Sequence, residues 1–198
     1  MKNNTVGVVI VCYNTPGIIS EAVNSIYKYV DEVFIVDNSD NDCYKECDKL
    51  SVKTDNVRVK HTNKNIGHGP GLNIGVSHLD TEYIICMDSD AVLIDPKVIK
   101  EMKQALRPGV YGSGKVLIVI DNIRYLWLPF CMFRKETFLE YSPFIHGGAP
   151  FLQAMKDIRG KMKIVQIPGF DKKVSHQGRA TRKIAGDWRK SFGGRKGI

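Results

Sequence analysis

The sequence predicts an α/β fold in which a mostly parallel central sheet carries helices on both faces. In the first half of the chain, short apolar runs typical of strands buried on both faces alternate with segments of helical periodicity. Such βαβ alternation favours parallel strand pairing with helices covering the sheet. The 198 residues, 43% of them hydrophobic and 25% charged, are sufficient for one globular domain with its own core.

The first strand and helix follow from an apolar run and a helix-start signal. Residues 6–11 are continuously apolar and are predicted to form a buried strand. Thr15 and Pro16 are predicted to be the N-cap and the first-turn proline of a helix. Its apolar residues, at helical spacing, are Ile18, Ile19, Ala22, Val23, Ile26 and Val30.

The later elements are predicted from the same two patterns. The other predicted strands are residues 33–36, 57–62, 83–87, 114–120, 125–134 and 163–168. Residues 67–79 are predicted to combine a glycine-rich turn with a helix. Asp95-Pro96 is predicted to open another helix, and a further helix is predicted after Pro150.

Polar side chains follow three of the predicted strands. Asn14 follows the first strand, Asp37 and Asn38 end the second, and Asp88-Ser89-Asp90 ends the strand at residues 83–87. Ligands of open parallel sheets bind at the carboxyl ends of the strands. The sequence therefore predicts a nucleotide site at this edge of the sheet.

Asp88 and Asp90 are the predicted metal ligands. They lie between apolar segments, where two carboxylates repel each other and lose hydration unless a divalent cation offsets both costs. Oxygen ligands favour Mg²⁺ or Mn²⁺, which typically bridge to diphosphate oxygens. The alternative is a helix cap or a solvated turn.

Asp37 and the glycine-rich segment 65–75 are further candidates for ligand binding. Asp37 is predicted to accept a hydrogen bond from a pyrimidine base or a ribose, the alternative being an Asx-type turn that closes the strand. The glycines of residues 65–75 allow close approach of the backbone to a ligand. They also resemble a dinucleotide fingerprint, but Pro70 removes a backbone donor and the expected second strand and ribose-binding acid fit poorly.

The net charge of +8 is concentrated near the C-terminus. Residues 160–198 contain eleven Lys or Arg and two acidic residues, a net charge of +9. Arg179, Arg182 and Lys183 suit a diphosphate, and His176 could complete a metal site beside Asp90. A surface or core histidine is the alternative for His176. The alternative is a solvated basic segment with no ligand.

The five cysteines are predicted to be free structural residues. Cys12 and Cys86 lie in apolar runs. Cys43 and Cys47 could share a helix face, but two cysteines with no histidine near them in sequence make a poor zinc site. No apolar run is long enough to cross a bilayer, and the N-terminal residues lack a secretory pattern. These features predict a cytoplasmic protein without a transmembrane segment.

The first 94 residues resemble the nucleotide-binding half of GT-A glycosyltransferases of family 2, a group that includes many rhamnosyltransferases. The matching segments are residues 11–14, 35–39, 65–75 and 86–90, in this order. The resemblance implies a single GT-A (Rossmann-like) domain over residues 1–198. Residues 1–94 would be its nucleotide-binding half, and residues 95–198 its acceptor half with the basic tail.

The resemblance also implies an activity and a set of site residues. The activity is metal-dependent transfer of a sugar from a nucleotide-diphosphate donor to a hydroxyl of a glycan or glycoconjugate, with Mn²⁺ or Mg²⁺ as cofactor. Asp37 favours a pyrimidine, hence UDP or dTDP. Tyr13 would lie against the base, and Asp88, Asp90 and His176 would hold the metal. The predicted donor-binding residues are Val11, Tyr13, Asn14, Asp37, Asn65, Gly67, His68, Asn73, Asp88, Ser89, Arg179 and Arg182.

The sequence departs from the family pattern at two places. Leu72 stands where members often have arginine, and Gly147-Gly148 stands where many inverting members carry a Glu-Asp pair whose aspartate is the catalytic base. We therefore take His146 as the first candidate for the base, because imidazole titrates in the right range. A structural turn is the alternative role for His146. Other candidates for the base are Glu140, Asp157 and Asp171, and inversion and retention both stay open.

Three other functions compete with this hypothesis. A nucleotidyltransferase needs a basic residue in a glycine-rich N-terminal loop, but residues 11–18 contain no Lys or Arg. A nucleic-acid-binding module would use the basic tail and leave Asp88 and Asp90 unexplained, so we expect no nucleic-acid partner. A nicotinamide oxidoreductase would use the glycine-rich segment. The sequence leaves the oligomeric state open, and a chain of this length can also be one module of a larger enzyme.

Overall fold

A seven-stranded sheet is the framework of the protein in the computed structural model, which describes residues 2–119, 122–145 and 149–178. Its strands are β1 (Lys2–Cys12), β2 (Glu32–Asp37), β3 (Val57–His61), β4 (Thr81–Asp88), β6 (Val110–Val119), β7 (Ile123–Arg134) and β8 (Lys163–Gln166). Two short strands, β5 (Ala91–Leu93) and β9 (Val174–His176), form a separate antiparallel pair.

The sheet order is β3-β2-β1-β4-β7-β6-β8. β1 pairs in parallel with β2 and β4, β2 with β3, and β6 with β8, whereas β7 is antiparallel to both of its neighbours. The prediction of an α/β fold with a mostly parallel sheet is therefore confirmed.

Helices cover both faces of the sheet. They are α1 (Ile18–Ile26), α2 (Cys43–Lys53), α3 (His68–His78), α4 (Lys97–Ala105), α5 (Lys135–Leu139) and α6 (Leu152–Asp157). Apolar residues of α1, α2 and α4 pack on one face against alternate residues of β1 such as Val8 and Ile10. Those of α3, α5 and α6 pack on the other face together with Val9 and Val11. All the described helices are too short or too polar to cross a membrane.

The predicted start of the first helix is wrong. α1 begins at Ile18 with Gly17 in the N-cap position at φ 78°, two residues after the predicted cap. Thr15 is fully buried, and its Oγ1 lies 3.3 Å from the Cys12 thiol and 3.4 Å from the Ser89 hydroxyl. The Thr15 side chain therefore belongs to the edge of the sheet, so it does not cap the helix.

Four elements were not predicted. One is α2, of which the sequence analysis noted only that Cys43 and Cys47 could share a helix face. α5, β5 and β9 have five, three and three residues, too few to produce a clear periodic pattern. The missed strands matter most for the site, because the β5–β9 pair brings the segment around His176 to the end of β4.

Candidate active site

The parallel register brings the ends of three neighbouring strands to one edge of the sheet. Val11 of β1 lies opposite Val36 of β2 on one side and opposite Asp88 of β4 on the other. Cys12 lies opposite Asp37. The polar residues that were predicted from strand ends are therefore neighbours in space.

Asp88, Asp90 and His176 form a compact cluster at this edge. Their potential ligand atoms all lie within 4.8 Å of one another. His176 Nε2 is 2.9 Å from Asp90 Oδ1 and 3.4 Å from Asp88 Oδ2. The pairing of Ala91 with His176, and the hydrogen bond from Gln177 N–H to the Asp90 carbonyl (3.1 Å), fix the two segments relative to each other.

The donor set of this cluster fits a divalent ion. Asp88 Oδ1 is buried and, within the described residues, accepts no hydrogen bond; His68 Nε2 lies 3.4 Å away. A buried carboxylate oxygen in this state is costly unless a cation satisfies it. Two carboxylates and one imidazole suit Mn²⁺ or Mg²⁺, whose remaining positions are typically taken by water and phosphate oxygens.

The protonation state of His176 is set by its two carboxylate neighbours. Burial alone would lower its pKa, but hydrogen bonds and charge attraction from Asp88 and Asp90 outweigh burial and raise the pKa to about 9. The ring of Trp127 packs edge-on against the imidazole, with centroids 5.1 Å apart. Without a metal, the imidazolium is therefore the cation that balances the two carboxylates at neutral pH.

The loop after β1 is tied to the loop after β2. Asn14, at φ 52°, donates its backbone N–H to Ser39 Oγ (2.9 Å), and its Oδ1 accepts from Asp40 N–H (3.1 Å). Tyr13 Oη lies 3.4 Å from Asp40 Oδ2. These contacts hold Tyr13 and Asn14 at the edge where the base of a nucleotide was predicted to lie.

Asp37 is buried, and both of its carboxylate oxygens contact the protein. Its side chain is 1% exposed; Oδ1 accepts a hydrogen bond from Ser39 N–H (3.0 Å), and Oδ2 lies 2.8 Å from His61 Nδ1. The first of these bonds is the Asx-type turn that was the alternative prediction. Each oxygen keeps a second lone pair, so burial of the side chain, and not these two contacts, separates the Asp37 carboxylate from a base.

The glycine-rich segment forms a turn and then α3. Gly67 adopts φ 94°. Its N–H donates to Asn65 Oδ1 (2.9 Å), and its carbonyl accepts a hydrogen bond from Asn38 Nδ2 (3.2 Å). Asn73 lies further along α3 and exchanges two hydrogen bonds with the backbone of Phe144 (2.8 and 3.0 Å). Asn65, Gly67 and His68 therefore border the edge, whereas the Asn73 side chain holds the segment around Phe144.

Sequence comparison identifies the family. A family model described as glycosyl transferase family 2 matches residues 7–147, more than half of the chain. The chain belongs to glycosyl transferase family 2. The match over residues 7–147 confirms the resemblance of the first 94 residues to this family. The glycosyltransferase GlyG of Streptococcus pneumoniae serotype 4 is 29% identical over 92 residues, which cover 44% of this chain and 31% of that protein.

Solved structures share the fold of this family 2 chain. The mannosyltransferase PcManGT from Pyrobaculum calidifontis, in complex with GDP-Man and Mn²⁺, has a TM-score of 0.72 at 18% identity, over 84% of this chain and 55% of its own. S. aureus TarS 1-349 in complex with UDP-GlcNAc has a TM-score of 0.64 at 18% identity, over 83% and 56%. A nucleotidyl transferase from Methanothermobacter thermautotroptrophicus has a TM-score of 0.59 at 15% identity, over 84% and 88%.

These likenesses establish the GT-A fold. The family 2 chain spans less than two thirds of the length of GlyG and of the mannosyltransferase.

Some predicted residues lie outside the part of the chain that the structure describes. These are His146, Arg179 and Arg182, together with Lys183 and Gly147-Gly148. Of the other candidates for a base, Asp157 accepts hydrogen bonds from Ser142 N–H (3.3 Å) and Gln153 Nε2 (2.8 Å), and Asp171 pairs with Lys115 (2.7 Å). Glu140 is exposed.

Two residues at this edge of the sheet were not among the site residues predicted from the sequence. His61 ends β3 and contacts Asp37, and Asp40 binds the loop after β1. The strand-end rule would have found His61, because β3 was among the predicted strands.

The ion pairs of His176 predict a pH-dependent stability in the presence of a chelator. The folded-state pKa of about 9 lies above the ordinary value of 6.5, so the stabilisation is fully present below about pH 6.5 and is lost as the pH rises through 9. We expect His176→Gln to lower the free energy of unfolding by about 2 kcal/mol near pH 6 and by almost nothing near pH 10. Urea unfolding across this range measures the difference. A loss that stays constant with pH would exclude the ion pairs as its cause.

Proposed function

We propose that this chain is a metal-dependent glycosyltransferase. It would move a sugar from a nucleotide-diphosphate donor, UDP- or dTDP-linked, to a hydroxyl of a glycan or glycoconjugate acceptor. The observation that carries the proposal is the cluster of Asp88, Asp90 and His176 at the strand ends, with a buried Asp88 oxygen that no hydrogen bond within the described residues satisfies. Membership of family 2 supports the same reaction class.

In this proposal, Asp88, Asp90 and His176 would hold Mn²⁺ or Mg²⁺. The ion would supply positive charge for the diphosphate that leaves the sugar. The chain's own contribution is to fix the ligands before the donor binds. The antiparallel β5–β9 pair and the Trp127 ring orient His176, and the register of β4 orients Asp88. Such preorganisation lowers the cost of placing charge against the leaving group.

The donor base would lie beside Tyr13 and the loop around Asp40. The other proposed contacts lie at the strand ends, in the turn before α3 and at the first residue of α3. They are Val11, Asn14, Asn65, Gly67, His68 and Ser89. A pyrimidine is proposed because of Asp37, whose buried carboxylate must become accessible for the base to reach it. TarS is described with UDP-GlcNAc and PcManGT with GDP-Man, so both base classes belong in a test.

A nucleotidyltransferase is the second candidate, because this chain covers 88% of a nucleotidyl transferase of the same fold. The site favours the glycosyltransferase. The turn between β1 and α1 has Gly17 but no Lys or Arg to hold a triphosphate. Pyrophosphate release from a nucleoside triphosphate and a sugar phosphate would identify the second activity.

A thermal-shift panel tests the proposed donor and metal together. We expect UDP or dTDP with Mn²⁺ to raise Tm by about 5 °C at a hundredfold excess over Kd. The metal-dependent part of the shift should disappear in Asp90→Asn and persist in Asp55→Asn, a matched change at an exposed aspartate. Equal shifts in wild type and Asp90→Asn would contradict the metal role, and a larger shift with GDP would contradict the pyrimidine.

A further inference from the structure

Three cysteines from two elements meet beside the edge of the sheet. Cys12 is the last residue of β1, and Cys43 and Cys47 lie one turn apart in α2. All three side chains are buried, and the sulfur atoms of Cys12 and Cys43 are 3.3 Å apart. The carboxylate of Asp37, at the end of β2, completes the group, because the ligand atoms of all four residues lie within 4.8 Å of one another.

Thiolates and carboxylates are ligand types that zinc accepts, and this group supplies four of them, the number that a tetrahedral site requires. Zinc binds cysteine sulfur at about 2.3 Å, which places two sulfur ligands of a tetrahedron roughly 3.8 Å apart. The 3.3 Å between the sulfur atoms of Cys12 and Cys43, and the 4.8 Å limit for all four ligand atoms, are close to this spacing. The prediction from sequence considered only Cys43 and Cys47, whereas the fold adds one thiol and one carboxylate to them.

The surroundings support an ion at this position. Asp37 is oriented by His61, whose other nitrogen lies 2.9 Å from Asp48 Oδ1. Carboxylate and histidine partners behind a ligand are the usual outer support of protein metal sites.

We propose that Cys12, Cys43, Cys47 and Asp37 form a structural site for a thiophilic divalent ion of the zinc class, separate from the Asp88–Asp90–His176 cluster. Four protein ligands leave no open position, as in structural zinc sites. The ion would join α2 to the ends of β1 and β2, the two strands that precede the Tyr13 and Asp40 loops. The proposal does not depend on the glycosyltransferase function, although it shares Asp37 with the proposed base site.

Metal content and cobalt substitution test this site on the intact chain under reducing conditions. We expect one zinc per chain after purification without chelator. After exchange with Co²⁺, we expect thiolate-to-cobalt charge-transfer absorption in the near ultraviolet and visible bands of tetrahedral cobalt. The Asp88–Asp90–His176 cluster contains no sulfur, so Asp90→Asn should keep the charge-transfer absorption.

Two double variants separate the cysteines. Cys43→Ala with Cys47→Ala should abolish the charge-transfer absorption. Cys86→Ala with Cys131→Ala, which changes the two buried cysteines on the opposite face of the sheet, should retain it. Wild-type protein that shows no such absorption with stoichiometric Co²⁺ would overturn the proposal even if a variant fails to fold. Undiminished absorption in the Cys43/Cys47 variant would overturn it as well.

Discussion

Asp90→Asn is expected to lower the rate of nucleoside diphosphate release from the sugar donor by about a thousandfold in the presence of Mn²⁺. The substitution keeps the size of the side chain and removes its charge. Asp90 is buried, its Oδ1 lies 2.9 Å from His176 Nε2, and it belongs to a cluster of only three candidate ligands among the described residues. Loss of the ion would leave the charge on the departing diphosphate unbalanced, a deficit of about 4 kcal/mol in the barrier.

The measurement is diphosphate release from a panel of UDP- and dTDP-sugars, with water as the acceptor where no glycan is supplied. Asp55→Asn removes the same charge from an exposed position and should retain the wild-type rate. Far-ultraviolet circular dichroism of both variants checks that the fold is intact. A rate for Asp90→Asn within about threefold of wild type would remove this residue from the catalytic centre.

The edge of the sheet was predictable from sequence because parallel strands share a direction. Asn14, Asp37 and Asp88 each follow a buried apolar strand, and register alone brings such positions together. No knowledge of side-chain contacts was needed for that step. The α/β class followed for the same reason, since the period of the apolar residues distinguishes strands from helices.

The geometry of His176 was not predictable in this way. The residue was selected for its basic surroundings and for the family resemblance, but its position depends on a three-residue strand that pairs with another of equal length. Pairs this short are fixed by long-range contacts and leave little trace in local sequence. The burial of Asp37 was missed for a related reason, because the residues that surround it come from β3 and α2.

The glycine-rich segment was interpreted only in part. Its glycines were predicted to let the backbone approach a ligand, and Gly67 does occupy the turn beside the site at φ 94°. Gly71 and Gly75 instead face the sheet. A Cβ at Gly71 would lie 3.0 Å from both methyl groups of Val11. These glycines therefore allow α3 to pack closely on β1, a requirement that sequence spacing alone does not separate from ligand binding.

Gly75→Val is expected to destabilise the fold strongly. A Cβ at position 75 would lie 2.3 Å from Val9 Cγ1 and 3.2 Å from Val9 Cβ, and Val9 is fully buried in the central strand. Val9 is fixed in the central strand, so the new side chain at position 75 forces α3 away from the sheet. We expect the free energy of unfolding to fall by about 3 kcal/mol, because the overpacking outweighs the few tenths of a kcal/mol of helix propensity gained when valine replaces glycine. Urea unfolding followed by circular dichroism measures the loss.

Ser77→Val is the matched control, since it introduces the same side chain two residues later in α3 at an exposed position. Its cost should stay near a few tenths of a kcal/mol, which is the propensity term together with the lost hydrogen bond to Ile74. The difference between the two variants isolates the contact of α3 with β1. If Gly75→Val cost no more than Ser77→Val, the close contact between α3 and Val9 of β1 would be contradicted. The turn at Gly67 and His68 would then owe its position to other contacts.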